Sequence, residues 1–271
     1  MLFGVNQATL EKCRLPEFLA AAGKAGYEMV ELREEKIAEY LVDRSIGDIR
    51  DLFRLNKVRP HTINALGMST MLDAEGERKI LKAAGDFAAK AAALDCPWIV
   101  ACPGAKAKTT SWDEIVVRSA KTVGKMADIA WKRRVRLAFE FLGFGWSSAQ
   151  TVSEAWAIVK AANRGNAGIA VDSAHFYSGS SNLAEISALP REAVAVFHVN
   201  DLVDKAKDKI GDYDRVMPGE GVVPLRDIAR ELRRIGFAGV ASLEIFNRGY
   251  HKRDPLEIAR AGLGGMEAFL K

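Results

Sequence analysis

Apolar residues along this chain fall into short runs, separated by longer stretches in which they recur every three to four positions. These are the signatures of strand and helix. The runs are LFGVNQ from Leu2, MVELR from Met29, RPHTINAL from Arg59, WIVACPG from Trp98, RLAFEFLG from Arg136, AGIAVDSAH from Ala167, AVAVFHVND from Ala193 and VASLEIFN from Val240. Between them SIGDIRDLF sets Ile46, Ile49, Leu52 and Phe53 at helical spacing, and PLRDIARELRRIG puts Leu225, Ile228, Ala229, Leu232 and Ile235 on one face before Gly236. Capping boxes are expected at Ser111 to Glu114 and at Thr151 to Glu154. Eight strand-then-helix units with no Pro/Ser-rich linker predict an α/β fold, a single (β/α)8 barrel spanning residues 1–271.

Such a barrel keeps its chemistry at the carboxyl ends of its strands, so polar residues late in a run matter. Alternation puts Glu140 on the face of Ala138, Asp172 on that of Ala170, His198 on that of Val196 and Glu244 on that of Ser242. The opposite face carries Phe139, Phe141, Ile169, Val171, Leu243 and Ile245, suited to packing on helices. Taken singly, each polar residue is an ordinary ion-pair or hydrogen-bond partner. Together, three carboxylates and an imidazole at one end of four consecutive strands repel one another unless a cation joins them. A single divalent ion is therefore expected; an oxygen-rich set with one His suits Mn2+ best, with Mg2+, Co2+ or Zn2+ also accommodated.

Composition narrows the partners. Hydrophobic residues make up 49% and charged residues 27%, values of an ordinary folded protein. The balance of 39 Lys and Arg against 35 Asp and Glu gives +4, too slight for a nucleic-acid or membrane surface. Cys13, Cys96 and Cys102 form no C-x-x-C pair, which points to a reducing compartment. With no basic-then-apolar leader in MLFGVNQATL and no apolar stretch of about 18 residues, the expected location is cytoplasmic.

The motifs FEFLG, VDSAH, FHVND, DRVMPGEG (Asp214 to Gly221) and SLEIF resemble those of the xylose-isomerase-like barrel family of sugar isomerases and epimerases, over the whole chain. The resemblance implies that Glu140, Asp172, His198 and Glu244 bind the metal, and that Glu140 and Glu244 also trade a proton with the substrate, one as base and one as acid. It implies a substrate contact for His175 and another for Arg215. Asn6, Arg33 and Asn64, late in the first three strands with inward parity, are expected to bind polyol hydroxyls, and Trp146 in GFGWSS to stack on a sugar or cyclitol ring. Asp201 is expected to support a neighbouring strand-end group from behind. The family also contains endonuclease IV, which needs extra histidines for three zinc ions. This chain has only His61, His175, His198 and His251, with Val216 where that enzyme has a His, so DNA repair is not expected.

The implied activity is a metal-dependent isomerase of keto-polyols or keto-cyclitols acting through a cis-enediolate, with carbohydrate or inositol catabolism as its setting. A ketohexose 3-epimerase, a lyase or deglycosidase subunit acting on 3-keto sugars, and a non-catalytic sugar-binding barrel remain alternatives. The PGEG turn has no Lys cluster beside it, which favours an unphosphorylated substrate, and a homodimer is a weak expectation.

Overall fold

The structure, a computed structural model, describes residues 1–270. Its strands are β1 (Leu2–Asn6), β2 (Met29–Arg33), β3 (Arg59–Leu66), β4 (Trp98–Ala101), β5 (Arg136–Glu140), β6 (Ala167–Asp172), β7 (Val194–Val199), β8 (Asp201–Leu202), β9 (Arg215–Val216) and β10 (Val240–Leu243). Eight of them close a parallel barrel in the order β1-β10-β7-β6-β5-β4-β3-β2. The other two, β8 and β9, form a small antiparallel ribbon above it, pairing Asp201 with Val216 and Leu202 with Arg215.

Around the barrel run α1 (Leu15–Ala25), α2 (Glu34–Tyr40), α3 (Ile46–Asn56), α4 (Ala74–Ala93), α5 (Trp112–Trp131), α6 (Val152–Ala162), α7 (Ser173–Ser178), α8 (Leu183–Ser187), α9 (Leu225–Arg234) and α10 (Pro255–Leu270). Their apolar stripes pack on the outward residues of the strands, among them Phe139, Val171, Phe197 and Leu243, all fully buried. Among the described residues no helix is long and apolar enough to cross a membrane.

Several boundaries differ from the sequence expectation in an instructive way. The hydrophobic runs overshoot, because extended backbone continues past the last ladder pair. Glu244 follows β10 directly, and its N–H donates to Val199 O at 3.0 Å. At α5 and α6 only half of each expected capping box forms. Ser111 and Thr151 accept from the N–H of Glu114 and Glu154, but the Glu114 carboxylate turns to Arg118 and that of Glu154 accepts from Gln150 N. A full box forms instead at α3, between Ser45 and Asp48. After α9, Gly236 adopts φ +84, the left-handed helix stop its position predicts.

Inside the barrel the side chains separate by depth. Met29, Trp98, Val100, Ala138, Ala170, Ala195, Val196 and Val240 form an apolar floor. One step nearer the carboxyl ends, the same strand faces turn polar with Glu140, Asp172 and His198. Between β2 and β3 the register shifts, so that Val30 opposes Pro60 but Glu31 opposes Thr62. His61 is the extra residue, and its Nε2 lies 3.0 Å from Ala195 O.

Candidate metal centre

Glu140 ends β5, Asp172 ends β6, His198 sits late in β7 and Glu244 follows β10, so four neighbouring barrel strands deliver one side chain each. Each offers a ligand atom, and these atoms all lie within 4.8 Å of one another. Asp172 and His198 are fully buried and the two glutamates nearly so. His198 Nδ1 is 2.7 Å from Glu140 Oε1 and 3.5 Å from Glu244 Oε2.

The electrostatics are those of a site built around positive charge. Burial, reinforced by Glu140 and Asp172, pushes Glu244 up to about 7 despite the attraction of His198 and Arg215. Burial disfavours the charge on Asp172 as well, yet Arg215, His175 and His198 hold it below the usual carboxylate range. His198 is driven the other way: burial opposes its charge, but Glu31, Glu244 and Glu140 raise it well above the ordinary imidazole value. Without a cation the cluster retains protons at neutral pH, and a divalent ion would displace them. Three carboxylates and one imidazole nitrogen at these separations fit a divalent ion of the oxygen-preferring kind.

Arg215, the largest fully buried side chain, reaches this cluster from β9. Its Nη1 donates to Asp172 Oδ2 and Glu244 Oε2, each at 2.9 Å. Its Nη2 is 3.1 Å from both Asp212 Oδ1 and His175 Nε2. A guanidinium can only donate, so His175 Nε2 accepts and its proton resides on Nδ1. That neutral form agrees with burial lowering the His175 pKa.

The remaining sequence-selected residues take varied places. Asn6 Nδ2 donates to Glu244 Oε1 at 2.9 Å, which makes it an orienter of that acid. Asn64 is buried beside Glu31, with Nδ2 3.4 Å from Glu31 Oε2. Arg33 leans out at the rim and pairs with Glu35 at 2.8 Å, because its strand ends where the barrel opens. Trp146 is 44% exposed and stacks on Phe144, whose ring edge meets His175 at 5.0 Å. Asp201 supports no ligand of the centre. Its carboxylate accepts from Gly219 N, Val223 N and Leu202 N at 2.8–3.0 Å, and so ties down the loop after β9. The PGEG turn serves that tie: Gly219 has φ +93, and a Cβ on Gly221 would lie 2.1 Å from Leu202 O.

Three neighbours of the ligands escaped the sequence reading. Glu31, fully buried, lies 3.1 Å from His198 Nε2. Asn200 Nδ2 donates to Asp172 Oδ2 at 2.9 Å, and Cys102 Sγ is 3.6 Å from Glu140 Oε2. Glu31 was within reach of the alternation argument, since it shares a face with Arg33 in MVELR; its mid-strand position hid it.

The chain is similar to known proteins. A family model described as xylose isomerase-like TIM barrel matches residues 19–269. The chain is 32% identical to an inosose isomerase of Bacillus velezensis over 91% of its own length and 89% of that protein. It is 31% identical to an inosose isomerase of Bacillus subtilis, covering 91% of this chain and 90% of that one. In structure it is similar to the IOLI protein, solved with a bound zinc atom, with TM-score 0.96 and 28% identity over 100% of this chain and 98% of that one.

Proposed function

Because the chain belongs to the xylose isomerase-like TIM barrel family, we propose that it is a divalent-metal-dependent isomerase of inosose-type keto-cyclitols, moving a ketone between adjacent ring carbons. The observation that carries this reading is the convergence of Glu140, Asp172, His198 and Glu244 within 4.8 Å at one end of the barrel. An ion held by those four residues, Mn2+ in this proposal, supplies Lewis-acid polarisation of a ketone oxygen when bound.

The protein's own groups handle the proton. One of Glu140 and Glu244 removes it from the hydroxyl-bearing carbon, and the electron pair of that C–H bond becomes the C=C bond of the enediolate. A proton is then delivered to the former carbonyl carbon, while the hydroxyl proton passes between the two oxygens, so the carbonyl has moved by one position. Glu140 Oε2 faces only a weak thiol donor in Cys102, so no strong hydrogen bond competes with a substrate for that oxygen. Glu244, pushed up to about 7 by burial when no ion is bound, is the other carboxylate able to carry the proton. Arg215 brings fixed positive charge to the oxygen on which negative charge grows, and neutral His175 offers an Nδ1–H to a substrate oxygen. In this reading the setting is inositol catabolism in the cytoplasm.

Incubation with inosose in D2O tests the proposal. The expected product carries deuterium at carbon and a displaced carbonyl. Inversion of a single centre indicates a 3-epimerase, and loss of a substituent indicates a lyase. Absence of both wash-in and a displaced carbonyl overturns the proposal.

A further inference from the structure

The two ring nitrogens of His198 face opposite environments. Nδ1 looks into the acid cluster, 2.7 Å from Glu140 Oε1. Nε2 looks away from it, 3.1 Å from Glu31 Oε2. Glu31 itself is completely buried in the polar layer above the barrel floor. We infer that Glu31 is a positioning residue for the metal centre: it accepts the Nε2 proton of His198 and thereby presents the Nδ1 lone pair to the ion.

Glu31 is held for this task by the irregularity in the sheet. The register shift between β2 and β3 brings Thr62 opposite Glu31, and Thr62 Oγ1 approaches Oε2 at 2.5 Å. A hydroxyl has one proton, and at that distance from a carboxylate it is committed there, although Asn64 Oδ1 is also within 2.9 Å of it. Asn64 Nδ2, at 3.4 Å, closes the other side of the same oxygen. The acceptor therefore cannot swing away from His198 without giving up a donor at a fully buried position.

An imidazole carrying its proton on Nε2 has a free pair on Nδ1, and a carboxylate behind it raises the ring's basicity as a ligand. The charge of Glu31 adds to the same effect, because Nε2 faces Glu31 while Nδ1 faces the acid cluster that would hold the ion. The assignment rests on reading the four residues as a metal centre, and goes beyond that reading in giving a fifth, non-ligating residue control of affinity and tautomer.

Two variants and two readouts test it. Zn2+ affinity is measured by chelator competition for wild type, Glu31→Gln and Thr62→Val. Long-range 1H–15N correlation of the Zn2+-loaded proteins then reports which nitrogen of His198 is protonated, a tractable spectrum with four histidines. The expected result is Nε2 protonation in wild type and affinity weakened by about 10–100-fold in Glu31→Gln, with a smaller loss in Thr62→Val, which keeps the carboxylate but frees it. Thermal unfolding of the ion-free proteins separates this from a merely structural role, which would lower stability and leave Zn2+ affinity and the His198 pattern alone. Unchanged affinity in both variants, or an Nδ1-protonated His198 in loaded wild type, overturns the assignment while leaving the metal centre standing. Failure of wild type to take up Zn2+ overturns both.

Discussion

Glu140 and Glu244 each have one oxygen engaged by the scaffold and another turned to the shared point. In Glu244, Oε1 accepts from Asn6 while Oε2 meets Arg215 and faces His198; in Glu140, Oε2 faces Cys102 while Oε1 meets His198. Changing either to Gln preserves shape and replaces one carboxylate oxygen with an amide that cannot take up a proton. We predict that kcat on inosose falls by about 10²–10⁴-fold in Glu140→Gln and in Glu244→Gln, the usual worth of a positioned acid or base. A second prediction follows from the protons the cluster holds. His198 is raised well above its ordinary value and Glu244 to about 7, so the ion-free protein binds more protons than the loaded one. Divalent-ion affinity therefore rises with pH, by about tenfold per unit where one proton is displaced. Chelator competition between pH 6 and 8 checks it, and a flat profile contradicts it.

At the scale of elements, the β8–β9 ribbon and the loop that follows carry Arg215 into the centre, and Asp201 fastens that loop. Asp201→Ala removes the acceptor of two loop N–H groups. We expect faster hydrogen exchange at Gly219 and Val223, with a higher KM and little change in metal affinity, since no ligand touches Asp201. Loss of the ion instead of KM would place Asp201 at the centre itself. This ribbon also marks where the sequence stops being readable. Two-residue strands are too short to leave a period, so Arg215 was visible only through a resemblance. The four candidate ligands were legible because each lies late in, or directly after, a strand of clear alternation, with an Ala, Val or Ser two residues before it on the same face. Glu31 obeys the same parity as Arg33, yet one is sealed beneath His198 and the other leans out at the rim. Depth along a barrel depends on register between strands, and the shift at Glu31 to Thr62 is a property of two strands that neither run reveals alone.

Over the whole molecule the apolar floor supports a polar layer whose charges lack a partner of equal strength. An ion that binds the folded state and not the unfolded one stabilises it. At a hundredfold excess over Kd the gain is about 2.7 kcal/mol, a rise of about 5 °C in Tm for a chain of this length. Calorimetry of chelator-treated protein with and without added Mn2+ reads this directly, and the same titration on His198→Ala should show little shift. The most direct test of the account is anomalous diffraction from crystals soaked in Mn2+, recorded at the metal edge. The account predicts one strong peak per chain, bounded by Glu140, Asp172, His198 and Glu244. A peak elsewhere, or none at this cluster, contradicts it.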